Sequence, residues 1–293
     1  MKISNKTRSL IRQSLREDIG RGDITTHLLI PKNLKGKAFI EAKANGILCG
    51  GAVVKEVFRS VDLKLKVRQR ISDASAVSKG KKVFQIFGRI ASILKGERVA
   101  LNFLSHLSGI STLTNRYVKK IKGTRAQIYD TRKTMPLWRE LEKYAVITGS
   151  GENHRFGLWD EILVKDNHWV AIRKLLKHRP SYLKEKLTDR KHVPVEIEVA
   201  SLKEIIDLLN GSFIPDRILL DNFSVSDLKK AVRIVRKRKR RVLLEASGGI
   251  TLKNVRQVAK TGVNRISIGA LTHSVPSLDF SLSVSKINLR RTK

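Results

Sequence analysis

Ala126-Gln127-Ile128-Tyr129-Asp130-Thr131-Arg132-Lys133-Thr134 is a short apolar run that breaks at once into an acid and two cations. The same event recurs downstream. Ile162–Val164 is followed by Lys165, and Val193–Val199 carries Glu198 near its end. Arg217–Leu220 ends on Asp221, Val242–Ala246 on Ser247-Gly248-Gly249, and Arg265–Ile268 on Gly269. Helical patterns fill most of the gaps, at Leu137–Thr148, Trp169–Lys177, Leu202–Leu209, Val225–Val235 and Leu252–Lys260. Strands alternating with helices predict a parallel sheet, and so long a series predicts a barrel. Each polar residue falls at or just after the C-terminal end of its strand, the rim where α/β barrels build their sites.

The charges on that rim suggest a ligand. Arg132, Lys133, Arg155, Lys165, His154 and His168 all lie between Asp130 and His168. Cations are seldom buried at strand ends unless an anion sits in front of them. Glu196 and Glu198 are two apart in a strand and so share a face. With Asp221 they could form an acid–base pair, neutralise Lys133 and Lys165, or bind Mg²⁺. The surrounding cations favour Mg²⁺ shared with phosphate, since that ion takes one or two carboxylates and completes its shell with phosphates and water. Ser247-Gly248-Gly249 reads as a plain turn in isolation. Between a late barrel strand and a helix starting near Leu252, it reads as a phosphate turn, with Ile266–Leu271 as a second. Gly149-Ser150-Gly151 reads as the end of the helix begun at Leu137.

Upstream, residues 5–19 pattern as an amphipathic helix. Glu17, Asp18 and Asp23 lie in a glycine-punctuated turn, where capping is a simpler role than metal binding. Strand-like runs at Ala38–Ile40, Gly46–Cys49, Leu63–Val67 and Lys82–Phe87, with a helix over 51–60, predict a separate α+β layer. Gly96-Glu97-Arg98 then opens a long apolar stripe through Leu101, Leu104, Leu107 and Ile110. This puts Arg98 in a first helical turn, against the dipole.

Sixty Lys and Arg against 26 Asp and Glu give a formal charge of +34 over 293 residues. Nucleic-acid binding and a solvated basic surface around an anion-binding enzyme both fit such a charge. The basic clusters at Lys64–Arg70, Lys79–Lys82, Lys229–Arg241 and Arg290–Lys293 are scattered, which favours the second, with weak, non-specific nucleic-acid contact at most. No run is long enough to span a membrane. Met1–Lys6 has no apolar leader, and Cys49 is the single cysteine, so the expected location is the cytoplasm. P-loop, H-E-x-x-H, G-x-S-x-G and G-x-G-x-x-G motifs are absent.

These residues resemble one family over nearly the whole chain. The motifs are Gly22–Thr25, Glu97–Asn102, His106–Ile110, Asp130–Thr134, Leu141–Val146, Asn153–Arg155, Lys165–His168, Leu220–Asn222, Glu245–Ile250 and Gly269–Ser274. They are similar to those of quinolinate phosphoribosyltransferase (decarboxylating). The resemblance implies an N-terminal α/β sandwich over 1–110, joined by 275–293, and an incomplete, seven-stranded α/β barrel over 111–274. It implies that quinolinate and 5-phosphoribosyl 1-pyrophosphate give nicotinate mononucleotide, pyrophosphate and CO₂. Arg132, His154, Arg155 and Lys165 would hold the quinolinate carboxylates, with Arg98 arriving from the second subunit of a homodimer. Lys133 would reach the phosphoribosyl donor, Glu198 and Asp221 would hold Mg²⁺ and ribose, and Ser247, Gly248 and Gly269 the 5-phosphate. Lys133, Glu198, Asp221 and Lys165 are thereby the catalytic candidates. Leu137 departs from the family pattern, which has glycine there, and Ser150 and Glu152 replace small residues. A molybdenum-transport-associated relative shares the barrel, but Lys165–His168 and Leu141–Val146 match the quinolinate enzyme.

Overall fold

The computed structural model describes residues 2–179, 181–188, 193–211, 213–238 and 241–288. Lys239 and Arg240 of the basic run Lys229–Arg241, and the cluster Arg290–Lys293, lie outside the described residues. The chain forms two compact units: Met1–Asn115 with Thr134–Ser150 and Leu271–Lys293, and Arg116–Lys133 with Gly151–Ala270.

The first unit opens with α1 (Asn5–Ile19), which buries Ile11 and Leu15 and is capped by Ser4. Asp23 accepts the Thr26 N–H at 2.9 Å and caps α2 (Ile24–Leu29), so this acid ends a turn. There follow β1 (Lys35–Ala42), β2 (Gly46–Ile47), α3 (Gly51–Val61), β3 (Lys66–Gln69), β4 (Ala76–Val77) and β5 (Lys82–Arg89). β5 runs without a linker into α4 (Ile90–Lys120). The helix therefore starts before Gly96, and Arg98 is exposed well past the first turn. The dipole conflict expected from the sequence does not exist. Gly96 serves packing instead, since a Cβ there would lie 2.9 Å from the Phe58 ring.

The rest of the chain runs β6 (Gln127–Tyr129), α5 (Arg139–Thr148), β7 (Ile162–Val164), α6 (Asp166–His178), α7 (Tyr182–Thr188) and β8 (Val195–Val199). It continues with α8 (Leu202–Asn210), β9 (Arg217–Asp221), α9 (Val225–Lys237), β10 (Leu243–Ser247), α10 (Val255–Ala259), β11 (Arg265–Ser267), α11 (Ala270–His273) and β12 (Phe280–Asn288). β12 pairs antiparallel with β1 and completes the sheet β12-β1-β5-β3 of the first unit.

Helix α5 also belongs to the first unit, although sequence order alone puts it in the barrel. Its contacts with α4 explain this. Ser111 Oγ donates to the Ala145 carbonyl at 2.7 Å, His106 Nε2 lies 2.8 Å from Glu142 Oε1, and Trp138 stacks on Phe103 at 4.5 Å.

In the second unit six parallel strands order as β6-β11-β10-β9-β8-β7. The expected seventh is reduced to one parallel bridge between Tyr129 and Glu152. Glu152 N–H donates to the Ile128 carbonyl and Asp130 N–H to that of Glu152, at 2.8 and 3.1 Å. Asp130 Oδ1 then takes the His154 N–H at 2.8 Å and turns the chain off the ladder after one residue.

The strands are buried on both sides, as in covered parallel sheets. By their alternation Ile197, Ile218, Leu220, Leu244, Ala246 and Ile266 share one face. Glu196, Glu198, Arg217, Asp221, Glu245, Ser247 and Arg265 share the other. One face is apolar and the other carries charge. Among the described residues, no helix is long and apolar enough to cross a membrane.

Candidate active site

The charged face decides the chemistry. Two cations of the predicted rim fall side by side there. Arg155 is buried, and burial first, then the neighbouring Arg132 guanidinium, depress its pKa. Two guanidinium groups near enough to feel each other's charge make a place for an anion. Arg155 Nη1 is fixed by the Glu161 carbonyl at 3.0 Å. Lys133 is exposed, and its N–H closes a turn on Thr131 Oγ1 at 3.0 Å. His168 receives the Lys165 N–H on Nδ1 at 2.9 Å and so orders the start of α6.

The carboxylates gather at adjacent strand ends. Lys165 Nζ lies 3.8 Å from Glu198 Oε2. Burial raises the Glu198 pKa, Lys165 lowers it, and the neighbouring Asp221 raises it again. Two acids that disfavour each other's charge, one of them half-buried, suit a divalent cation, so these residues fit Mg²⁺. Asp221 also accepts from Asn222 Nδ2 at 2.9 Å. A cavity of about 670 Å³ opens beside Glu198 and Asp221, walled by Trp169, Leu183, Leu208 and Phe213. Its walls include neither Arg132 nor Arg155, so it adjoins the carboxylate end of the rim and is not the anion pocket.

Ser247 pairs in register with Asp221, and its carbonyl accepts the Asn222 N–H at 2.9 Å. Gly248 has φ +88°, and a Cβ there would meet Asn222 Oδ1 at 2.1 Å, so only glycine fits this turn. The expected helix at Leu252 begins instead at Val255 and is only five residues long. Anion binding at Ser247-Gly248 would therefore rest on turn amides, without a helix dipole. Gly269 follows β11, on the strand next to β10.

His154 departs from its expected role. Its Nδ1 accepts the Arg155 N–H at 2.8 Å, while Nε2 lies 3.2 Å from Glu196 Oε2 and 3.3 Å from Glu245 Oε1. Both ring nitrogens are thus engaged within the protein, which leaves neither to serve a substrate carboxylate. Burial alone would lower the His154 pKa, but the Glu196 and Glu245 carboxylates outweigh it and raise it to about 9. That favours an imidazolium, whereas the Arg155 N–H requires an unprotonated Nδ1. We take the hydrogen bond as deciding the tautomer, so Nδ1 is unprotonated and Nε2 carries the ring's single proton toward the two carboxylates.

Three residues here were not read as functional from the sequence: Glu161, Arg217 and Glu245. The one sequence signal for Arg217 and Glu245 is a charge set within a buried strand, Arg217 opening Arg217-Ile218-Leu219-Leu220 and Glu245 inside Leu243-Leu244-Glu245-Ala246. Arg98 is exposed on α4, in the first unit.

Comparison with known proteins agrees with this geometry. Residues 23–108 match the quinolinate phosphoribosyl transferase N-terminal domain, and residues 110–283 match its C-terminal domain. The chain is 40% identical over 281 residues to the probable nicotinate-nucleotide pyrophosphorylase [carboxylating] of Methanocaldococcus jannaschii, covering 94% of this chain and 96% of that protein. It is 37% identical over 294 residues to quinolinate phosphoribosyltransferase [decarboxylating] 2b, mitochondrial, of Nicotiana tabacum, covering 94% and 82%. The crystal structure of NadC from Streptococcus pyogenes superposes with a TM-score of 0.88 at 33% identity, covering 98% of this chain and all of that one. The chain belongs to the quinolinate phosphoribosyltransferase family.

Proposed function

We propose that the chain joins quinolinate to 5-phosphoribosyl 1-pyrophosphate, releasing pyrophosphate and CO₂ and leaving nicotinate mononucleotide for NAD synthesis. The observation that carries this reading is the buried Arg155 beside Arg132 at the barrel rim, with Lys165 and the acids Glu198 and Asp221 on neighbouring strand ends. The cations suit an acceptor with two carboxylates, and the acids suit a phosphorylated sugar with its metal. No observation favours the molybdenum-transport-associated alternative.

Arg132, Arg155 and Lys165 hold the acceptor carboxylates and aim the ring nitrogen at the ribose carbon, which is catalysis by positioning. Lys133 meets the donor, and Ser247, Gly248 and Gly269 receive the 5-phosphate. Glu198 and Asp221 would hold the ribose and Mg²⁺, whose charge would offset that of the departing pyrophosphate. As positive charge grows on the ribose carbon, the same two carboxylates stabilise it. His154 acts by orienting Arg155 rather than by touching the acceptor. Arg98 comes from a second copy, so the working form is a homodimer. The single cysteine fits a cytoplasmic location, and the excess positive charge is a solvent-facing feature with weak, non-specific nucleic-acid contact at most.

Purified protein given quinolinate, phosphoribosyl pyrophosphate and Mg²⁺ should release CO₂ and nicotinate mononucleotide in equal amounts. Nucleotide formation without CO₂ release would overturn the reaction assigned.

A further inference from the structure

We propose that Glu161, Arg217 and Glu196 are positioning residues that fix Arg155 for substrate through a closed circuit of buried contacts. The circuit starts and ends on Arg155. Its backbone N–H donates to His154 Nδ1 at 2.8 Å, and His154 Nε2 meets Glu196 Oε2 at 3.2 Å. Glu196 Oε2 lies 3.8 Å from Arg217 Nε, and Arg217 Nη2 lies 2.5 Å from Glu161 Oε2. The Glu161 carbonyl then accepts Arg155 Nη1 at 3.0 Å. Both ends of Arg155, backbone and guanidinium, are therefore held by one connected set of residues, through the His154 ring and the Glu161 backbone carbonyl.

A purely structural role explains this less well. Glu196 and Glu245 are fully buried, with ion-pair contacts but no aligned hydrogen bonds, and Arg217 is nearly as buried. Apolar residues of similar volume generally hold a core at lower cost than such pairs. What charges add is a single arrangement. Arg155 needs one, because Arg132 pushes on its guanidinium whenever no anion lies between them. The circuit reaches Arg155 through the Glu161 carbonyl, and Arg217 anchors the side chain of that same Glu161.

A metal reading of the inner cluster is weaker. The ligand atoms of His154, Glu196 and Glu245 lie within 4.8 Å of one another. However, Nε2 carries its proton toward both acids, and Arg217 already supplies compensating charge beside Glu196.

This inference rests on the reading of Arg155 as a quinolinate contact, and the test separates the two. Initial rates are measured with each substrate varied in turn for Glu161→Gln, Arg217→Lys, Arg155→Lys and the double variant Glu161→Gln/Arg155→Lys. We expect Glu161→Gln and Arg217→Lys to raise the quinolinate KM about tenfold, because a small misplacement of a clamp weakens it sharply. The phosphoribosyl pyrophosphate KM should stay within about twofold of wild type. The double variant should be no worse than Arg155→Lys alone, since both changes act through one guanidinium. Glu161 is partly exposed just before β7, so Glu161→Gln carries the test should Arg217→Lys fail to fold. Both KM values rising together, or effects that multiply in the double variant, would show that the circuit only supports the fold. An unchanged quinolinate KM in Arg155→Lys would instead remove the clamp itself.

Discussion

Leu137 and Ser150, just outside the two ends of α5, share the same left-handed backbone, with φ of 68° and 69°. Neither is glycine, and a left-handed non-glycine residue costs about 1–2 kcal/mol. Leu137 is 82% exposed, so its side chain recovers little of this by burial. The strain lies at the two turns that flank α5.

Leu137→Gly should therefore stabilise the protein. Glycine in place of another residue loses about 0.5–1 kcal/mol to chain entropy, which leaves a net gain of at most about 1.5 kcal/mol after the strain is relieved. Ser150→Gly should gain a similar amount, because glycine keeps the backbone N–H that donates to the Ile147 carbonyl at 2.9 Å. Urea unfolding of the two variants checks this. Loss of stability in both would show that the left-handed turns are not strained.

The Glu245 carboxylate predicts a pH dependence of stability. Burial raises its pKa, but the His154 and Ser267 contacts and the Arg265 charge outweigh it and hold it below the ordinary 4.5. A lowered folded-state pKa contributes stability that is present above the unfolded value and lost as pH falls through the folded one. Unfolding free energy should thus decline as pH falls below about 4.5. Glu245→Gln removes the carboxylate and should flatten that decline. Parallel curves for wild type and variant would contradict an ionised Glu245.

Cys49 should be inert in the folded chain. It is fully buried, and burial pushes its thiol up to about 12. The nucleophile is the thiolate, so a thiol reagent should label it only after denaturation. Fast labelling of the native protein would show that the first unit opens around Cys49.

Sequence order revealed the strand–helix alternation because each barrel strand is an apolar run closed by a polar residue. Arg132, Lys165, Glu198 and Asp221 stood out as candidates for the same reason, and Arg155 as one of a cluster of cations. Other features left weaker marks. Gly96 looked like a helix start, yet it admits the Phe58 ring and β5 enters α4 with no break. The seventh strand, cut to Glu152, has no periodicity to detect. His154 looked like a ligand contact because it sits beside Arg155, and only coordinates show its ring turned to Glu196 and Glu245. The circuit through Glu161 and Arg217 joins residues far apart in the chain, which no local pattern reports.

Arg98 should work in trans. Arg98→Ala and Lys133→Ala should each be inactive alone. After their subunits exchange, a mixed dimer has one doubly damaged site and one intact site. Random pairing gives about half mixed dimers, so about a quarter of wild-type activity should return. If no activity returns, each Arg98 acts within its own chain.

An anion pocket built for two carboxylates discriminates by carboxylate number. The measurement is kcat/KM for quinolinate against that for nicotinate, which lacks one carboxylate. Losing one charge-assisted hydrogen bond costs about 1.5–3 kcal/mol, which corresponds to about 10- to 150-fold in specificity. Nicotinate should fall below quinolinate by at least that lower bound of about tenfold. Equal values for the two acids would contradict the pocket that Arg132, Arg155 and Lys165 are held to form.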